Sequence, residues 1–173
     1  MTDIELAYFA GLFDGEGCIQ IGHNKPQKRK RTEQHTLNCK VAMTNKQAVN
    51  SYLIFGGSVC VKQASLKNPN WKDQYVWAVN SNMALHFLEI ILPYLKLKRE
   101  EAQCGIEFQR FRTPSFFGKP GGGRRYISQE ELNKREWYRQ ELRRLKESRF
   151  PERSWHNDER TKNKERRRTV VVA

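Results

Sequence analysis

The spacing of apolar residues changes period several times along the chain, and each change marks an element. In residues 6–17 the period is helical, with Leu6, Phe9, Leu12 and Phe13 available to bury against a body. Ala7, Gly11 and Gly15 recur every four residues on one face of the same helix. Small residues in such a row let another backbone approach closely. Glycine disfavours a helix by about 1 kcal/mol relative to alanine, so two on one face point to close packing. After Gly17 the period becomes two: Ile19 and Ile21 alternate with Gln20 and Gly22. From Thr36 the alternation resumes, with Leu37, Cys39, Val41 and Met43 facing one way and Thr36, Asn38, Lys40 and Ala42 the other. The two runs predict a β-hairpin whose tip is the basic stretch Lys25 to Arg31.

Thr44-Asn45 can cap a following helix with Val49, Tyr52, Leu53 and Phe55 inward, and Gly56-Gly57 ends it. A second strand pair follows, Val59 and Val61 in one strand and Tyr75, Trp77 and Val79 in the other. Ser81 or Asn82 reads as the cap of a helix with Ala84, Leu85, Leu88 and Ile91 inward. Pro93-Tyr94 interrupts, and a further helix runs from about Lys98 to Arg112 with Cys104 and Phe108 inward. The order is helix, hairpin, helix, hairpin, helix, helix. It predicts an α+β fold: one antiparallel sheet, apolar towards the helices and polar on its other face.

Residues 113–125 hold two prolines and Gly121-Gly122-Gly123 and read as a connector. Ser128-Gln129-Glu130-Glu131 is a capping box that opens a C-terminal helix within 126–149, with Leu132, Trp137, Leu142 and Leu145 towards the body. Residues 150–173 form a basic tail expected to be disordered, with six Lys or Arg among the nine positions 160–168.

Charge changes the picture more than composition does. A formal charge of +13 and a pI near 9.8 point to a polyanionic partner, nucleic acid before membrane. The polar sheet face carries asparagine, glutamine, threonine and lysine, the types that read base edges, and a two-stranded ribbon fits the major groove. Strand alternation nominates Gln20, Asn24, Asn38, Lys40, Lys62 and Gln74 as base readers. Lys25, Lys28, Arg29, Lys30 and Arg31 are expected to hold phosphates. Cys18, Cys39, Cys60 and Cys104 form no C-x-x-C pair, which argues against a zinc site and for reduced, buried thiols. The N-terminus carries Asp3 and Glu5 and does not read as a signal peptide. The longest apolar stretch, Leu88 to Leu95, is too short for a bilayer. The expectation is a soluble intracellular protein.

The first helix breaks a local rule at its end. Asp14 and Glu16 sit where the helix dipole is negative, which is unfavourable for carboxylates. A divalent cation would compensate them, because hard cations take carboxylate and carbonyl oxygens. The stretch Phe9-Ala10-Gly11-Leu12-Phe13-Asp14-Gly15-Glu16-Gly17 resembles the motif of the LAGLIDADG homing endonucleases. The motif occurs once, so the chain is similar to the single-motif, homodimeric class. Roughly residues 3–112 share the element order of that family. The resemblance implies an αββαββα core with a four-stranded saddle-shaped sheet over double-stranded DNA, and Ala7, Gly11 and Gly15 in the dimer interface. It implies that Glu16 binds the catalytic metal, Mg2+ with Mn2+ as a substitute, beside the Gly15 carbonyl of the partner. Lys98 matches the family's basic residue near the scissile phosphate, and Asn45 a polar residue there. For Asn45 a helix cap is an equally simple account, and for Lys98 a surface lysine at a helix start.

The implied activity is site-specific, metal-dependent cleavage of both strands of a long, imperfect palindrome. An intron-RNA maturase and a non-cleaving DNA-binding regulator remain the alternatives. Retention of the acid at Glu16 favours the enzyme.

Overall fold

The computed structural model describes residues 1–24, 33–64, 72–112 and 127–149. The basic tip between the first two strands, most of the loop after Ala64, the connector and the tail lie outside the described residues. Met1–Leu142 form one compact unit and Arg143–Ala173 a second.

Helix α1 runs Asp3–Glu16, followed by β1 Gly17–Asn24, β2 Gln34–Met43, the short α2 Lys46–Asn50 and a 3-10 turn Ser51–Phe55. Then come β3 Ser58–Lys62, β4 Gln74–Asn80, α3 Ser81–Ile91, a 3-10 turn Leu92–Tyr94, α4 Arg99–Arg112 and α5 Gln129–Ser148. The four strands make one antiparallel sheet in the order β1-β2-β4-β3. This is the expected α+β architecture, an αββαββα core with a C-terminal helix after it.

The alternation of the sequence becomes the two faces of this sheet. Ile19, Ile21, Leu37, Cys39, Val41, Trp77 and Val79 are buried against the helices. Phe9, Phe13, Tyr52, Phe55, Trp77 and Phe87 join α1, the turn after α2, β4 and α3 in one aromatic cluster, with neighbouring ring centroids 4.9–6.1 Å apart. Two polar tips in the cluster reach backbone carbonyls: Tyr52 Oη donates to Phe9 O at 2.8 Å and Trp77 Nε1 to Gly56 O at 2.9 Å. Such pairing removes the penalty of burying a hydroxyl or indole N–H. Gly56 and Gly57 both have positive φ, 81° and 83°, which lets the chain turn back into β3.

Several local expectations needed correction. Cys39 and Cys104 are buried, but Cys18 and Cys60 are exposed, because they fall on the outer parity of β1 and β3; none of the four is in a disulfide. Leu53 and Val61 are exposed, the first on the outer side of the 3-10 turn and the second on the edge strand. Phe87, not Leu85, joins Ala84, Leu88 and Ile91 in the buried stripe of α3. The cap position of α3 is Asn80, with no side-chain cap bond, and Ser81 takes a positive φ of 51° to start the helix. In α5, Leu142 is buried as expected, but Trp137 is 55% exposed. Glu131 N–H donates to Ser128 Oγ at 3.2 Å, so the predicted cap is present. Among the described residues no helix is long and apolar enough to cross a membrane.

Candidate active site and nucleic-acid face

The end of α1 meets the start of α4. Asp14 is buried, and its carboxylate accepts three backbone N–H groups: Lys96 at 2.7 Å, Leu97 at 3.0 Å and Lys98 at 2.9 Å. In return, Lys98 Nζ donates to the Asp14 carbonyl on the last turn of α1. The carboxylate therefore sits at the N-terminal end of one helix and the ammonium at the C-terminal end of another. Both positions are the favourable ones for their charge. Of the two acids for which a compensating cation was expected, Asp14 is already compensated by protein groups. Lys98 is 3% exposed, so it is not a surface lysine at a helix start.

Glu16 differs from Asp14 in every respect that matters. It is exposed, it closes α1, and among the described residues it has no hydrogen-bond or ion-pair partner. Gly15 beside it is also exposed, and the last carbonyls of a helix lack intrahelical donors. Carboxylate plus main-chain carbonyl is a hard oxygen donor set, which fits a divalent cation that keeps part of its water shell. Glu16 and Gly15 thus lie on the last turn of α1, and the Lys98 ammonium reaches the same turn from the start of α4. Asn45 stands apart at the start of α2, where its Oδ1 accepts the Ala48 N–H at 3.1 Å. The helix-cap account is realised there.

The row Ala7, Gly11, Gly15 is exposed along its whole length. A Cβ added at Gly11 or Gly15 would meet nothing within 4 Å. Ile4, 83% exposed, and Tyr8, 58% exposed, flank the row. The helix that buries Phe9 and Phe13 on one side thus leaves an apolar, small-residue stripe uncovered on the other.

The outer face of the sheet gathers the predicted base readers. Gln20 pairs with Asn38 across β1 and β2, Asn38 with Asn80 across β2 and β4, and Lys62 with Gln74 across β3 and β4. Lys40 and Asn24 share that parity, so Gln20, Asn24, Asn38, Lys40, Lys62 and Gln74 lie on one surface. Asn38 is oriented by its own strand, Nδ2 donating to Thr36 O at 2.9 Å. Sequence reasoning passed over Gln34 and Asn80 on this face; carrying the alternation back along β2 and on along β4 would have found them. Lys25, Lys28, Arg29, Lys30 and Arg31 lie outside the described residues.

Comparison with known proteins follows the same line. The family model described as LAGLIDADG endonuclease matches residues 9–113. Among solved structures, the archaeal intron-encoded homing endonuclease I-Vdi141I complexed with DNA is similar at a TM-score of 0.62 and 15% identity, over 83% of this chain and 84% of that one. The homing endonuclease I-CvuI, in complex with a DNA target in the presence of Mg, is similar at 0.51 and 20%, over 82% and 94%. The homing endonuclease I-TnaI is similar at 0.51 and 16%, over 86% and 99%. No curated protein sequence matches the chain.

Proposed function

The chain belongs to the LAGLIDADG endonuclease family, and from that premise we propose that it is a homing endonuclease that makes a double-strand break in a long pseudo-palindromic DNA site. The observation that carries this reading is the contrast at the end of α1: Asp14 is satisfied inside the protein, whereas Glu16 is exposed and without a partner among the described residues. A fold that needed only a helix stop would not need that second carboxylate.

Glu16, with the Gly15 carbonyl of a second copy, would hold Mg2+ or Mn2+. When bound, such a cation activates water and stabilises the leaving oxygen in phosphodiester hydrolysis. The chain's own groups do the rest. The Asp14 clasp fixes the Lys98 ammonium on the last turn of α1, adding positive potential where charge develops on the phosphorus oxygens. Asn45 leaves its amide Nδ2 unbonded among the described residues, available to a phosphate or an ordered water. Gln20, Asn24, Asn38, Lys40, Lys62 and Gln74 read base edges, and Lys25 and Lys28 to Arg31 hold phosphates.

One protomer supplies one carboxylate, so the reading requires two copies. Ala7, Gly11 and Gly15, uncovered in the single chain, supply the surface on which two α1 helices pack about a two-fold axis. That the chain spans 94% and 99% of I-CvuI and I-TnaI favours one motif per protomer.

The test pairs binding and cleavage on one preparation. Glu16→Gln keeps the shape and removes the charge that recruits the cation. Plasmid linearisation at a selected site should vanish in Mg2+, while gel-shift affinity in Ca2+ or without metal stays within a few-fold of wild type. Wild-type cleavage rates in the glutamine variant would remove Glu16 from the metal site. A wild-type protein that binds one site specifically but never cuts it in Mg2+ or Mn2+ would replace this reading with the maturase or regulator one.

A further inference from the structure

A second cluster of ligand-type side chains lies at the far end of the β1–β2 ribbon, and the cleavage chemistry does not use it. His23 and His35 face each other across the antiparallel register, on the same parity as Ile21 and Leu37. They extend the buried row of the sheet by one polar pair. Their rings stack with centroids 4.5 Å apart and planes 10° apart. Glu136, from α5, places Oε2 3.3 Å from His35 Nε2, and Glu33 places Oε2 3.3 Å from His23 Nε2. One ligand atom each from His23, His35 and Glu136 lie within 4.8 Å of one another.

The cluster is only partly satisfied by the protein. His35 is 1% exposed; its Nε2 is hydrogen-bonded to Glu136, and its other ring nitrogen, Nδ1, has no hydrogen-bond partner. His23 Nε2 is also buried without one, since the approach of Glu33 is not aligned as a hydrogen bond. Buried imidazole nitrogens normally find a partner, so a missing partner calls for a reason. A solvated acid beside a surface histidine would be unremarkable; two stacked imidazoles with orphaned buried nitrogens are not.

We propose that His23, His35 and Glu136 form a binding site for a divalent transition metal of the zinc type, with Glu33 in reach as a fourth ligand. Two imidazoles and a carboxylate are a zinc-like donor set, unlike the all-oxygen set at Glu16. The 3.3 Å separation of His35 Nε2 from Glu136 Oε2 is close to the edge of a tetrahedron with bonds of about 2.0–2.1 Å. The nearly parallel rings must turn about χ2 for their lone pairs to converge. Arg139 and Gln140 anchor the Glu136 carboxylate, the outer support that ligating carboxylates have. Arg139 and Arg135 are the opposing charges nearby, so binding requires the metal to share the carboxylate with Arg139.

The site is separate from the end of α1. His23 lies six residues along β1 from Gly17, about 20 Å at the usual rise per strand residue. A metal there would tie α5 to the tip-side end of the ribbon that presents Gln20, Asn24 and Asn38 and, on the proposed DNA-binding function, so set the angle at which the ribbon enters a groove.

The experiment is a titration of chelator-treated, full-length protein with Co2+, read by visible d–d absorption, with Zn2+ as competitor. One equivalent should give a band of tetrahedral intensity that Zn2+ abolishes. Glu136→Gln and His23→Gln, both at positions outside the hydrophobic core and checked for folding by circular dichroism, should weaken binding by about tenfold or more. Glu16→Gln should keep the band, and Zn2+ should raise the Tm of wild type but not of Glu136→Gln. Equal Co2+ responses in wild type and folded Glu136→Gln would overturn the proposal. So would a band lost only in Glu16→Gln, or one with thiolate charge-transfer absorption, which would assign the metal to exposed Cys18 or Cys60.

Discussion

The two faces of α1 do opposite things with one stretch of chain. One face buries Phe9, Ala10, Phe13 and Asp14 and ends in a clasp with the start of α4. The other exposes Ile4, Ala7, Tyr8, Gly11 and Gly15 and ends in Glu16. Asp14 and Glu16 are two residues apart in the same turn, yet one is bound by three amides and the other by none of the described residues. Stability sits on the first face, and the proposed function puts assembly and chemistry on the second. A helix divided this way can lose its function without unfolding.

The strongest way to break that comparison is to remove the clasp. Asp14→Ala leaves the N–H groups of Lys96, Leu97 and Lys98 without their carboxylate acceptor, while the bond from the Lys98 ammonium to the main-chain carbonyl at position 14 can remain. Hydrogen bonds to a charged group are worth about 1.5–3 kcal/mol each, so the variant loses at least that much. Urea unfolding should show a loss of that size for Asp14→Ala and none for Glu16→Gln, which removes an unfavourable charge at a helix C-terminus. An unchanged urea midpoint in Asp14→Ala would mean that the clasp does not hold the fold.

Gly11 tests the other face. In the monomer an added side chain there meets open space, so Gly11→Ala should raise monomer stability by up to about 1 kcal/mol through helix propensity alone. Gly11→Leu should keep the monomer folded and separate the two helices of a dimer. Sedimentation should then show monomers where wild type shows dimers. A wild-type protein that binds its site as a monomer removes the stripe from the interface.

How much of this was legible follows from the range of each interaction. The strands, their polarity and the clustering of the candidate base readers on one face came from a period of two, which is local; Gln20, Asn38 and Lys40 needed only parity. The exposed stripe and the position of Glu16 came from one motif. The role of Asp14 was not legible, because its partners are backbone amides 82 to 84 residues away, and an amide carries no sequence signature. His23 and His35 escaped for a related reason: twelve positions apart, they match no metal-ligand spacing until the hairpin register sets them opposite. Trp137 was misassigned because a helix in a polar extension shows too weak a periodicity to fix its inner face.

Lowering the pH separates the stability of the core from assembly through α1 without a mutation. His35 is buried on the core side of the sheet, and desolvation lowers its folded value below the usual 6.5. A group depressed in this way contributes its stability fully above 6.5. That contribution is lost as pH falls below 6.5, because the unfolded chain takes the proton first. Glu136, held at about 2, adds nothing in that window, since it stays ionised in both states until pH nears 4.5. Thermal unfolding should therefore drop between pH 7 and pH 5, and His35→Gln should flatten the drop. The exposed stripe of α1 has no group that titrates there, so the dimer constant should hold across the same range. A parallel fall in dimerisation would mean that core stability and assembly are coupled.

The finest test asks whether one residue can serve both purposes that α1 keeps apart. Asn45 caps α2 through Oδ1, so Asn45→Ala should lower stability by about 1 kcal/mol. Serine is as good a cap but has no amide donor, so Asn45→Ser should stay within a few tenths of a kcal/mol of wild type. Cleavage kinetics on the two variants then separate the functions. If Nδ2 acts at the phosphate, both variants lose the same fraction of the cleavage rate although only alanine loses stability. If Asn45 is a cap alone, serine cuts at the wild-type rate, and any loss in alanine tracks the fraction unfolded. The second outcome would remove Asn45 from the active site and leave Glu16, which closes α1, and Lys98, whose ammonium reaches the last turn of α1 from the start of α4, as its only members among the three candidates.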